Sequence, residues 1–120
     1  MIVLLVEDAQ GMRKLVATML LGMGFTNVIE AKDGAEGWKR LTQHDVDVVL
    51  TDWNMPIMDG IELVEKIRRV PDYQDLRVYE ILCVNGLWCL GESPLKQNGK
   101  SIQRRLPISD RHGPLLGNIL

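Results

Sequence analysis

Residues 1–25 read MIVLLVEDAQGMRKLVATMLLGMGF. Ile2 to Val6 is an unbroken β-branched and Leu run that stops at Glu7 and Asp8, the pattern of a strand buried on both faces, as in a parallel sheet. Behind it, Met12, Leu15, Val16, Met19, Leu20 and Met23 recur at helical spacing. That periodicity predicts an amphipathic helix with its apolar stripe in the core, closed by Gly22 and Gly24. Strand, acids, helix is the opening of a βαβ unit.

The same rhythm continues outward. Val28 to Ala31 reads as a short strand, and Asp33 offers an N-cap with Glu36 three residues on, ahead of Ala35, Trp38 and Leu41. Val46 to Thr51 is a third strand, interrupted early by Asp47 and ended by Asp52. Met55-Pro56 and Asp59-Gly60 break the chain into a turn, Asp59 being an N-cap and turn residue. Ile61, Val64 and Ile67 then mark a helix that stops before Pro71, and Tyr79 to Val84 reads as a fourth strand. Alternating strands and helices predict an α/β fold, a three-layer doubly wound parallel sheet of three or four strands. The last third is atypical. Residues 1–84 form the patterned core and 85–120 an atypical carboxy-terminal segment of the same domain, rich in Gly, Pro, Ser, Asn and Gln, expected to pack poorly or stay irregular.

Composition narrows the function. The chain has 120 residues, 46% hydrophobic and 25% charged, which suits one globular domain and excludes disorder and fibrous repeats. No uncharged stretch reaches the roughly 20 residues of a membrane-spanning helix. The apolar start has no basic residue before it and meets Glu7 and Asp8 at once, unlike a secretory signal, so a cytoplasmic location is expected. Cys83 and Cys89 form no CxxC pair, and His44 and His112 stand far apart, against a structural zinc site. His44 is expected on a loop. Residues 1–76 carry 8 Lys+Arg against 13 Asp+Glu, and residues 77–120 carry 6 against 3. The basic residues of the second part are scattered and follow no nucleic-acid-binding module.

Sites in such sheets lie at the carboxyl ends of the strands. Glu7 and Asp8 end the first strand and Asp52 the third, so the fold reading gathers three carboxylates into one crevice. Two carboxylates about 4 Å apart repel by roughly 4 kcal/mol at an effective dielectric of 20, so an ionised cluster needs a compensating charge. A divalent cation with oxygen ligands supplies it, and Mg²⁺ pairs readily with carboxylates and phosphate oxygens. The chemistry that follows is phosphoryl transfer, with Asp52, placed centrally, as the nucleophile. The competing reading is structural: acids after strands are often helix caps or solvated loop charges, and Trp53 is a packed aromatic as readily as a cover over the crevice.

These residues resemble the receiver domain of two-component response regulators, the stand-alone chemotaxis type above all. The resemblance rests on Val3-Leu4-Leu5-Val6-Glu7-Asp8, Met12-Arg13, Gly24-Phe25, Glu30-Ala31-Lys32-Asp33-Gly34 and the run Thr51-Asp52-Trp53-Asn54-Met55-Pro56-Ile57-Met58-Asp59-Gly60. It covers about residues 1–76 and implies a flavodoxin-like receiver fold. By position it implies that Glu7 and Asp8 bind Mg²⁺, that Asp52 takes a phosphoryl group from a sensor histidine kinase or phosphotransfer protein, and that Asn54 lends a backbone carbonyl to the metal. A receiver of this kind is a phosphoprotein of a His-to-Asp phosphorelay. It signals to an output protein partner, with no role for nucleic acid or membrane. It is no enzyme in the usual sense, at most catalysing its own phosphorylation and dephosphorylation.

The family pattern fails after the fourth strand. A Ser or Thr is expected there, followed by an aromatic and a Lys-Pro pair on the fifth strand. Val84-Asn85-Gly86 holds the first place, and only Arg104 and Arg105 before Leu106-Pro107 are basic near the last strand. Arg does not simply replace Lys, because its planar fork differs from a compact ammonium. Back-translating Asn85 to Cys89 and reading one base later permits Thr-Ala-Tyr-Gly, so the carboxy-terminal third is expected to be a shifted reading of a receiver gene. A second expectation is therefore a degenerate receiver that binds partners without phosphoryl transfer, or is inactive. A metal-dependent phosphatase with an Asp nucleophile fits less well, since Asn54 stands where such enzymes want a second acid.

Overall fold

Leu4 and Val6 face one side of the first strand and Val3 and Leu5 the other, all fully buried. That two-sided burial is what the unbroken apolar run at the start of the chain requires. The computed structural model describes residues 1–53, 55, 57–84, 87–92 and 105–107. In chain order the elements are β1 (Val3–Val6), α1 (Gln10–Gly22), β2 (Val28–Ala31), α2 (Gly34–Gln43), β3 (Val48–Thr51), α3 (Gly60–Arg68), a 3₁₀ turn (Pro71–Tyr73), β4 (Arg77–Val84), β5 (Leu87–Glu92) and β6 (Arg105–Pro107). One sheet holds all the strands in the order β2-β1-β3-β4-β5-β6.

The first four strands are parallel, with two cores. On one face Val16 and Leu20 of α1 pack on Val3, Leu5, Val48, Leu50, Tyr79 and Ile81. On the other, Leu41 of α2 and Leu63, Val64 and Ile67 of α3 pack on Leu4, Val6, Val49 and Val78. The caps read in the sequence are present: Asp33 accepts a hydrogen bond from the Glu36 N–H at 2.8 Å, and Asp59 from the Glu62 N–H at 2.8 Å. His44 lies exposed at the end of α2.

Two expectations are corrected. The sheet has six strands rather than three or four, and β5 and β6 run antiparallel to their neighbours. Val84 pairs with Leu87, so that β5 lies antiparallel beside β4. The helical stripe of α1 is also less buried than its periodicity implies. Met12 is 37% exposed and Leu15 46% exposed, while Val16 and Leu20 carry the contact with the sheet. A stripe of six residues is wider than the arc a helix lays on a flat sheet, so its margin stays in solvent. Asn85, Gly86 and Arg104 lie outside the described residues, while Val84 ends β4 and Arg105 begins β6.

Candidate functional site

β2 lies on one side of β1 and β3 on the other, so the winding reverses between β1 and β3, and this is where a doubly wound sheet opens a crevice. The ladder hydrogen bonds run one residue past the strand ends. The Asp52 N–H donates to the Val6 carbonyl at 2.9 Å, and the Glu7 N–H to the Ala31 carbonyl at 3.0 Å. Glu7 and Asp52 are thus fixed side by side on the rim of adjacent strands, with Asp8 at the corner leading into α1. One carboxylate oxygen from each of Glu7, Asp8 and Asp52 lies within 4.8 Å of the others. Glu7 is buried, Asp52 half-buried and Asp8 exposed.

Electrostatics single out Glu7. The Glu7 carboxyl is raised from 4.5 to about 7, first by burial and then by the Asp52 and Asp8 charges, against the Ala9 N–H that favours its charged form. The Ala9 N–H donates to Glu7 Oε1 at 3.1 Å. Arg13 donates from Nη1 to the main-chain carbonyl of Glu7 at 2.9 Å and from Nε to Glu30 Oε1 at 3.3 Å. The donor set is carboxylate oxygen throughout. That fits a hard divalent cation such as Mg²⁺ and fits poorly a soft metal that wants thiolate or imidazole.

The turn after Asp52 closes tightly. The Gly60 N–H donates to the Trp53 carbonyl at 3.1 Å, and a Cβ at Gly60 would fall on the Asp52 carbonyl and the Trp53 main chain. Only a glycine lets α3 start this close to the site. Trp53 is half-buried beside Asp52, its indole Nε1 buried with no hydrogen-bond partner among the described residues. Asn54 lies outside the described residues. At the other end of the sheet, a cavity of about 680 Å³ is lined by His44, Asp45, Asp47, Asp72 and Asp75 among others. There Asp47 Oδ2 accepts the Ile2 N–H at 2.7 Å. The structure brings Glu7, Asp8 and Asp52 together, as the sequence pattern led one to expect, and adds Arg13 and Glu30, which the sequence offered only as part of the resemblance. The available signal was a cation in the first turns of the helix after the acid pair, with Glu30 next to the end of the neighbouring strand.

Comparison with known proteins agrees with this geometry. The sequence profile of the response regulator receiver domain matches residues 3–82. A chemotaxis protein CheY homolog of Campylobacter jejuni is 40% identical over 84 residues, covering 69% of this chain and 65% of that protein. Chemotaxis protein CheY1 of Helicobacter pylori is 36% identical over 84 residues, covering 69% of this chain and 68% of the relative. Among solved structures, the chemotaxis response regulator CheY4 of Vibrio cholerae superposes with a TM-score of 0.63 at 30% identity, covering 69% of this chain and 68% of that one. The chain spans about 65% of the length of the Campylobacter relative.

Proposed function

The chain belongs to the response regulator receiver domain family, and from that premise we propose that it is the phosphoacceptor module of a two-component phosphorelay, phosphorylated at Asp52. The observation that carries the reading is the meeting of Glu7, Asp8 and Asp52 on the rim of β1 and β3. The donor is the phosphohistidine of a sensor histidine kinase or phosphotransfer protein. A carboxylate oxygen of Asp52 attacks phosphorus and forms the acyl phosphate, while the P–N bond breaks and its electron pair stays on the imidazole, which is protonated. Glu7, Asp8 and Asp52 would hold a Mg²⁺ ion, with the main-chain carbonyl of Asn54 as the fourth ligand that the family pattern implies, and the ion would supply the positive charge that offsets the phosphoryl oxygens. Buried Glu7 gives up its proton when it acts as a ligand. The acyl phosphate then signals to an output protein, as chemotaxis receivers do, in the cytoplasm where kinase and donor nucleotide meet.

Incubation with acetyl phosphate tests this. With Mg²⁺, the wild type is expected to gain the mass of one phosphoryl group, in a bond cleaved by hydroxylamine. Asp52→Asn, or wild type with EDTA, is expected to gain none. A second reading, a receiver that binds partners without phosphoryl transfer, is favoured by Val84 at the end of β4, where the family's hydroxyl is expected. An unmodified wild type under the same conditions would select it.

A further inference from the structure

Arg13 is the side chain at this rim that the phosphoacceptor reading leaves without a task. It is nearly buried, at 15% side-chain exposure. Its fork is divided between two strands: Nε reaches Glu30 Oε1, on β2, at 3.3 Å, and Nη1 reaches the main-chain carbonyl of Glu7, just past β1, at 2.9 Å. Lys14 holds the other oxygen of Glu30, with Nζ to Oε2 at 3.1 Å, so Oε1 stays aimed at Arg13. The Glu7 main chain is therefore held from both sides, by Arg13 at its carbonyl and by the Ala31 carbonyl at its N–H. Glu7 and Asp8 repel each other and Asp52, so a loose corner would relieve that repulsion by swinging the acids outward. A fixed corner cannot.

We infer that Arg13 is a positioning residue: by bridging Glu30 and the Glu7 carbonyl it locks the β1–α1 corner, so that Glu7 and Asp8 stay turned toward Asp52 and are ready for a divalent cation. This rests on the phosphoacceptor reading for the identity of the cation, and the geometry of the bridge stands independently of it. A planar, five-donor guanidinium spans two acceptors on different strands, which a single ammonium does less well.

The sign of one effect separates positioning from plain charge. A cation beside a metal site repels the metal, so removing Arg13 as a mere charge would tighten Mg²⁺ binding. Removing a group that orients ligands weakens binding, by about tenfold or more in sites of this kind. Mg²⁺ titration of the full chain, followed by the Asp52 amide and Trp53 indole NMR signals, compares wild type with Arg13→Met, Arg13→Lys and Glu30→Gln. About tenfold weaker binding is expected for both Arg13 variants, and a smaller loss for Glu30→Gln. In the same samples without metal, hydrogen exchange at the Ala9 amide, which bonds to Glu7 Oε1, is expected to speed up in both Arg13 variants while the Leu20 amide is unchanged. Arg13→Lys retains charge and stem, which guards against loss of the fold. Tighter or unchanged Mg²⁺ binding in both Arg13 variants, with unchanged Ala9 exchange, overturns the proposal. If the wild type binds no Mg²⁺, the phosphoacceptor reading fails, and Ala9 exchange alone decides the role of Arg13.

Discussion

Glu7 carries the clearest consequence at the scale of single residues. Its carboxyl is raised from 4.5 to about 7, first by burial and then by the Asp52 and Asp8 charges. The folded chain thus holds this proton more tightly than the unfolded chain. The stabilisation is fully present below about pH 4.5 and is lost as pH rises through about 7. In Glu7→Gln nothing titrates at this position. Thermal melts in EDTA are therefore expected to show wild type losing more stability than Glu7→Gln between about pH 5 and pH 8. An equal slope for the two proteins would remove the buried, repelled carboxyl from the account. The position of Glu7 after an apolar run is written in the sequence, but its shifted proton affinity is not, because the burial and the Asp52 charge come from a strand far along the chain. The left-handed backbone of Ile57, with φ 71, was equally hidden, since a β-branched residue is a poor advertisement for that conformation.

At the scale of elements, α1 shows where periodicity informs and where it overreaches. Spacing alone identified the helix and its end near Gly22, but it could not rank the residues of its stripe. The sheet beneath made that choice, through the contacts of Val16 and Leu20 with β1 and β3. Leu20 is 1% exposed and Leu15 46%. Leu20→Ala is accordingly expected to cost about 3 kcal/mol of stability, and Leu15→Ala less than about 1 kcal/mol. Urea unfolding of the two variants checks the ranking, and similar losses would mean that α1 sits on the sheet by a different face. The β4–β5 pairing teaches the converse. Leu87 to Leu90 is an apolar run that lies in β5, where the composition of residues 85–120 had suggested an irregular segment.

For the whole molecule, parallel order carries the site. Four parallel strands put the acids of β1 and β3 on one rim, and two antiparallel strands extend the sheet away from it. The parallel part was readable because strands buried on both faces leave unbroken apolar runs. The remainder was not, because the apolar run Leu87 to Leu90 sits in a stretch otherwise rich in Gly, Pro, Ser, Asn and Gln. The central claim is that Glu7, Asp8 and Asp52 converge on one cation. Mn²⁺, a paramagnetic substitute for Mg²⁺, tests it most directly, because it broadens the NMR signals of nearby amides. The amides of Glu7, Asp8, Asp52 and Trp53 are expected to broaden together at the lowest Mn²⁺ additions, while those of Asp45, Asp47 and Asp72 at the opposite end stay sharp. Broadening that begins around Asp45, Asp47 and Asp72, or that reaches Glu7 without Asp52, would contradict the account.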